Sequence, residues 1–578
     1  MHDLVIRGGT VVDGTGAQPY LADVAVRGGR IAAVGAEVGE GRQTIDAKGL
    51  LVTPGFVDIH THFDGQVVWD SHLAPTVWHG VSTVVMGNCG VGFAPARPGD
   101  QQHLIDMMAT VEDIPAESLE AGLDWAWESY PEYLKVVDAK PHTINIASMI
   151  THAPLRIYVM GDRAREKATD ADIAQMAEIV RDAMRGGAVG LSSSRTILHT
   201  TSDSVPIPGT DAEEAELTAL ARAVREGGNG RGVLEISPAS ITVDEPKKLA
   251  DEVDMMIRVA RATGCPVVFS LVQSKERPRD YRDALDRAEA AFAEGVPIYP
   301  AICTRPISTL LGFQGAFNPF AHLPSYAPLL KMPFAERIAA LKNPAVRERL
   351  LTEEVPPTGL AQIFMIEGIW EDVYKMGTSL NYYPKPEDAV QFIADRTGQD
   401  PKAVAYDAML ENGGRAFLMY AISNWGDRNR APLRDMLNSP ATVLGLADGG
   451  AHVTAIVDSS QPTSVLIDWV RGRAPGDPDG IPLETAVHKL TQANARLFGL
   501  EDRGVLREGL RADINVIDFD ALDLTLPQMV DDLPLGRPRL DQRATGFVAT
   551  IVNGERVLEN GELTGNLPGR IASPAAAH

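Results

Sequence analysis

Short apolar runs broken by turn residues fill the first fifty positions of the chain. Leu4-Val5-Ile6 stops at Gly8-Gly9, Thr10-Val11-Val12 at Asp13-Gly14, Val24-Ala25-Val26 at Gly28-Gly29, and Ile31-Ala32-Ala33-Val34 at Gly35. Such runs predict strands joined by tight turns. The far end looks like its counterpart: Ala512-Asp513-Ile514-Asn515-Val516-Ile517 reads as a strand, and 547–552 leads through Asn553-Gly554 into Arg556-Val557-Leu558. Asn-Gly between two apolar runs is a hairpin signal. A β unit divided between the two ends predicts one small domain built from both termini and enclosing the middle.

The middle alternates. Strands are predicted at Phe56-Val57-Asp58-Ile59, after the break at Pro54-Gly55, and at 81–86, 143–147, 189–192, 233–236, 266–270, 297–299 and 443–446. Helical patterns fall at 170–185, 211–225, 246–263 and 280–293. Eight strands with intervening helices are the count of a (β/α)8 TIM barrel. The competing doubly wound sheet calls for a Gly-rich dinucleotide turn, which the sequence lacks. The expected division is therefore 1–53 and 501–568 for the terminal β domain, 54–500 for the barrel, and a disordered tail at 569–578. Two stretches exceed the repeat. Residues 96–140 hold Met107-Met108, Trp125 and Trp127; residues 304–440 are rich in proline and aromatics, including Phe313, Phe317, Phe320, Tyr326, Trp370, Tyr374, Tyr382 and Tyr383. Insertions of this kind form pocket walls above a barrel or pack on its outside.

Candidate chemistry gathers at predicted strand ends, where barrel enzymes carry their sites. Positions i and i+2 of a strand share a face, so His60 and His62 project side by side and can each give a nitrogen to one divalent metal. The plain alternative is two histidines on a polar edge; Asp64 just beyond, and a Cys and an Asp at later strand ends, count against it. Cys89, in Gly87-Asn88-Cys89-Gly90, is a possible thiolate ligand or an inert buried thiol. Asp448, ending 443–448, is a buried carboxylate needing a metal, hydrogen bonds or a cation, or else a helix N-cap. His152, Arg195, His199 and His452 follow strands and are candidates for substrate contact or for structural roles. Glu235 is a charge within an apolar strand and needs a partner.

Charge and cysteine content narrow the classes. The formal net charge of −24 over 578 residues, with no basic patch, argues against a nucleic-acid partner. Three cysteines suggest a reducing compartment. No basic-then-apolar leader and no long uncharged apolar run are present, so the expectation is a cytoplasmic enzyme for a small molecule, homo-oligomeric by default.

Taken in order, these stretches resemble the amidohydrolase superfamily, and within it the N-acyl-D-amino-acid deacylase (D-aminoacylase) branch. The resemblance runs from Ile6-Arg7-Gly8-Gly9-Thr10-Val11-Val12-Asp13-Gly14 through the 54–62 strand, Gly87-Asn88-Cys89-Gly90, Gly187-Ala188-Val189-Gly190 and Asp448-Gly449. It ends at Asp502-Arg503-Gly504 and Gly509-Leu510-Arg511-Ala512-Asp513. It implies a metal-dependent (β/α)8 barrel with a composite β-sandwich domain, hydrolysing an amide C–N bond. Cys89 matches the metal-bridging cysteine, and Asp448 the aspartate that binds metal and acts as general acid/base. Two positions depart from the pattern: Ser237 and Leu271 stand where the branch has metal-binding histidines after its fifth and sixth strands. That departure predicts one Zn2+ on His60, His62 and Asp448, with Cys89 as a further ligand. It also leaves open a cyclic amide, lactone, carbamate or bulky amide as substrate, and a metal-free, non-catalytic barrel as the rival class.

Overall fold

The computed structural model describes residues 1–240, 248–315, 317–355, 368–377, 380–471 and 480–574. It begins with five strands: β1 (His2–Val11), β2 (Tyr20–Arg27), β3 (Arg30–Gly35), β4 (Gly41–Asp46) and β5 (Leu51–Pro54). Gly8-Gly9 does not end the first strand as expected but bulges it. The register against β2 slips between Ile6 and Gly9, and a Cβ on Gly9 would fall 2.4 Å from Val52 Cγ2. Glycine is what lets β1 lie against β5 there.

Parallel strands follow: β6 (Phe56–Thr61), β7 (Val81–Met86), β8 (Asn145–Ser148), β9 (Ile150–Thr151), β10 (Gly190–Ser194), β11 (Val233–Ser237), β12 (Val267–Ser270) and β13 (Ile298–Ile302). They pair in two runs, β6–β7–β8 and β9–β10–β11–β12–β13. The runs meet at Met149, whose N–H donates to Met86 O, while the Val189 N–H donates to Ser148 O, both at 2.9 Å. Helices Asp170–Arg185, Glu214–Gly227, Leu249–Thr263 and Asp280–Ala293 connect successive strands. The first has Thr169 and Asp172 as a capping box and buries Met176, Ala177, Val180, Ala183 and Met184, the one-sided spacing of an amphipathic helix. The second begins three residues later than its pattern suggests, and expected helical positions 246–247 of the third lie outside the described residues.

The 304–440 insertion carries β14 (Ile307–Leu311), β15 (Val373–Lys375) and β16 (Leu418–Ser423), an antiparallel sheet in the order β14–β16–β15. Phe313, Phe320 and Tyr326 are core residues of this unit, packed with Leu341, Tyr406 and Met409. They form its interior rather than a pocket wall. Part of the insertion, 316, 356–367 and 378–379, lies outside the described residues. The chain then returns as β17 (Val443–Leu444), parallel to β13.

The end of β17 meets the start of the parallel run. Asp448 N–H donates to His60 O at 3.1 Å, and His62 N–H to Gly449 O at 2.7 Å. Lower down, the Asn494 amide donates to both Val57 O and Leu444 O at 2.8 Å. Val57, Ile59, Val85, Ala147, Met149, Val233, Val268, Ala301 and Val443 form one buried cluster, and burying each larger member contributes about 1.5–3 kcal/mol.

Finally β18 (Ile514–Ile517) pairs antiparallel with β5 and with Phe547–Val552. The latter turns through Asn553 (φ 48°) and Gly554 (φ 83°) into Glu555–Glu559, the hairpin its dipeptide predicts. One nine-stranded sheet thus contains strands from both ends of the chain, over a core of Leu4, Ile6, Val24, Val52, Ile514, Val516 and Ile551. The tail differs from expectation. Gly569 N–H donates to His142 O at 2.8 Å, Ala572 N–H donates to Ile146 O at 2.7 Å, and Ala572 is buried. Gly569 to Ala572 run beside His142 to Ile146, and of this tail only 575–578 fall outside the described residues.

Candidate metal centre

β6 delivers His60 from its last turn of pleat and His62 from the position just past its end, two residues apart on an extended chain that alternates faces. The imidazoles are buried, with ring centroids 5.3 Å apart. β7 delivers the Cys89 loop from the adjacent strand. A Cβ on Gly87 (φ 81°) would lie 2.3 Å from Met149 O, so glycine lets the loop turn hard over its neighbour. The loop is held further by Gly87 N–H, which donates to Asp64 Oδ2 at 3.1 Å. β17 delivers Asp448, itself in the left-handed region at φ 48°.

These side chains converge. Cys89 Sγ lies 3.5 Å from His60 Nε2. Asp448 Oδ1 lies 3.3 Å from His60 Nε2 and 3.8 Å from His62 Nε2. One donor atom each of His60, His62 and Cys89 falls within 4.8 Å of the others. Tetrahedral zinc with bonds of 2.0–2.3 Å sets its ligands about 3.3–3.8 Å apart, so the donor set fits a divalent cation in type and in spacing.

Without a cation the cluster is held together by shared protons. Burial pushes the His60 imidazole down to about 4, which leaves it neutral with a lone pair to give. His62 is moved up despite burial, by the Glu112 charge and by hydrogen bonds to Asp448 and Cys89, so it holds a proton that a cation would have to displace. Burial opposes ionisation of Asp448, yet the hydrogen bond with His62 holds its carboxyl well below the ordinary range. Burial raises the Cys89 thiol to about 12, so a cation beside it is needed to release its proton.

The remaining sequence candidates divide. Glu235 is buried beside the cluster: its Oε2 accepts from Cys89 N–H at 3.1 Å while Oε1 has no partner, and burial raises its carboxyl to about 8. His199 donates to or accepts from Ser194 Oγ at 2.8 Å; burial and its neighbours His62, His452 and His60 push it down to about 3. His452 is partly exposed, with Nε2 4.0 Å from Glu112 Oε2.

His152 and Arg195 are not brought to the site with free groups. His152 is buried, with one ring nitrogen 2.8 Å from Ser193 Oγ and the other 2.9 Å from Glu216. Arg195 is buried and forks onto Glu252 at 2.6 and 3.1 Å. Both have their polar groups occupied within the protein, the structural one of the two roles the sequence left open. Ser237 donates to Cys89 Sγ, and Leu271 is fully buried in the apolar core; neither supplies an imidazole.

Sequence reasoning missed Glu112, whose Oε1 lies 3.3 Å from His62 Nδ1. Its one signal, a carboxylate closing the amphipathic pattern of Gln101–Val111, is common on any helix.

Known proteins share this arrangement of chain. A D-aminoacylase of Alcaligenes xylosoxydans xylosoxydans is 27% identical over 100% of this chain and 98% of its own. A solved D-aminoacylase, studied for one-metal activation and second-metal attenuation in its binuclear metal center, superposes with TM-score 0.64 at 26% identity, covering 99% of this chain and 100% of that one. An N-acyl-D-glutamate deacylase from Bordetella bronchiseptica, complexed with zinc and a phosphonate inhibitor, gives TM-score 0.64 at 27% identity, with 99% of each chain covered. A family model described as the amidohydrolase family matches residues 43–558, so the chain belongs to the amidohydrolase family.

Proposed function

We propose that this chain is a metal-dependent hydrolase of amide C–N bonds outside peptides, deacylase-like, with one zinc ion on His60, His62, Asp448 and Cys89. The observation that carries this reading is the convergence of two imidazole nitrogens and a thiol within 4.8 Å of one another, with the Asp448 carboxylate 3.3 and 3.8 Å from the two imidazoles. The named activities of the relatives and the zinc in the Bordetella structure support it. So does Ser237 beside Cys89 in place of a histidine, which favours one ion over two.

Bound there, a divalent cation supplies Lewis acidity towards water and the substrate carbonyl. The protein's own part falls to Asp448. Held ionised at the rim of the imidazole pair, its carboxylate accepts the proton of the attacking water and returns it to the leaving nitrogen. His60 and His62 hold their Nε2 atoms towards that carboxylate, and Glu235, kept protonated by burial, adds no negative charge beside it.

We read the parallel strands as a (β/α)8 barrel at 54–500 and the terminal sheet as a β-sandwich domain of 1–53 and 501–568; the bonds between Asp448-Gly449 and His60-His62 support closure. Three free cysteines favour the cytoplasm, and a homo-oligomer acting on a small molecule is the default for such enzymes. No described helix is long and apolar enough to cross a membrane.

The test is Asp448→Asn, assayed on a panel of N-acyl D- and L-amino acids and bulkier neutral amides that the wild type turns over. The variant should keep its fold and metal while kcat falls about 10²–10⁴-fold. A fully metallated variant with wild-type kcat removes Asp448 from this role.

A further inference from the structure

Glu112 belongs to the 96–140 insertion, yet its side chain ends inside the histidine cluster. It is buried, where a carboxylate is tolerated only with partners. The partners the structure gives it are two imidazoles. Oε1 lies 3.3 Å from His62 Nδ1, and both atoms are buried without a hydrogen-bond partner, so the two groups face each other at contact distance without a formed hydrogen bond. Two buried atoms of complementary type, each unsatisfied and this close, need only a small turn of the ring to share one N–H.

The same residue reaches the loop that carries Asp448. Its carbonyl accepts the His452 N–H, and its Oε2 lies 4.0 Å from His452 Nε2. That loop holds Leu446, Asp448 and His452 at φ 59°, 48° and 47°. Left-handed backbone at such residues persists only where the surroundings impose it. Glu112 therefore touches both the strand that offers His62 and the loop that offers Asp448.

We propose that Glu112 is a positioning residue: when a metal takes the place of the proton that His62 Nε2 shares with Asp448, the Glu112 carboxylate receives the Nδ1–H and so leaves the Nε2 lone pair to the metal. The 96–140 insertion then serves to hold the metal. This inference rests on the metal-centre reading above. A carboxylate behind a ligating histidine fixes the ring's orientation and raises its basicity, and its loss lowers metal affinity about 10–100-fold in comparable sites.

The experiment titrates cobalt(II) into metal-stripped full-length protein, following visible absorption and chelator competition, for wild type, Glu112→Gln and Glu112→Ala. Glu112→Ala should bind cobalt about 10–100-fold more weakly, with a displaced absorption band. Glu112→Gln, which keeps an acceptor oxygen without the charge, should fall between. The melting temperature of each apo form reports folding separately, and a purely structural role would lower it without moving the cobalt spectrum. Wild-type affinity and spectrum in Glu112→Ala would overturn the proposal; should that variant not fold, the same result in Glu112→Gln would do so. A wild type that takes up no cobalt would instead remove the metal-centre reading, and this inference with it.

Discussion

The Ser237 hydroxyl donates to the Cys89 sulfur across 3.2 Å. A donor aimed at sulfur favours the thiolate, so β11 contributes a hydrogen bond to the Cys89 ligand without contributing a ligand of its own. Cys89→Ala should weaken zinc binding at least about 10-fold, and Ser237→Ala by a smaller factor of the kind a lost outer partner gives. Chelator competition on the two variants checks both; unchanged affinity in Cys89→Ala would take the thiol out of the ligand set.

Arg305 is fully buried and donates to Asp458 at 2.9 Å, Val457 O at 3.1 Å and Ser464 Oγ at 3.0 Å, with its guanidinium 3.6 Å from the Tyr382 ring centroid. Even beside this cation, burial leaves the Asp458 carboxyl raised to about 6. Arg305→Met should therefore cost about 3–5 kcal/mol by stranding a buried charge. Denaturant unfolding measures this, and a loss below about 1 kcal/mol would show that Asp458 is compensated otherwise.

Burial works against ionisation of Glu216, but the His152 hydrogen bond and the Arg156 guanidinium bring its carboxyl to about 2. A folded value below the unfolded 4.5 stabilises the native state fully above pH 4.5. The stabilisation fades as pH falls towards 2, and the difference is worth about 3 kcal/mol. The apparent Tm of the wild type should fall more steeply than that of Glu216→Gln between those pH values. Parallel profiles would contradict the assignment.

The segment 569–574 bonds to His142 and Ile146 along β8. Ending the chain at Leu567 should expose that strand edge and lower the apparent Tm by a few degrees, each kcal/mol shifting a large domain by about 2–4 °C. Thermal melts of the shortened chain check this; an unchanged Tm would mean the tail contributes no stability.

The sequence made legible what depends on local period. The i, i+2 spacing at the end of β6 announces that His60 and His62 share a face, and Gly87 announces a turn that no side chain permits. It hid what depends on long-range partners. His152 and Arg195 look available after their strands, because Glu216 and Glu252, which occupy them, arrive on separate helices. Glu112 hid for the converse reason: a helix-end carboxylate acquires its meaning only when the insertion folds back onto His62. Phe313 and Phe320 read as pocket wall or as packing on the barrel's outside because an aromatic-rich insertion gives no sign that it closes a core of its own. Gly8-Gly9 reads as a stop because turn chemistry and bulge chemistry use the same residue.

The central claim is one metal ion held by side chains from β6 and from the loops after β7 and β17. Metal content per chain, by mass spectrometry on protein purified without chelators, tests it most directly in wild type and in a His60→Ala/His62→Ala double variant. The account predicts about one zinc per chain in the wild type and none in the double variant. No metal in the wild type, or zinc retained without the two histidines, would contradict it.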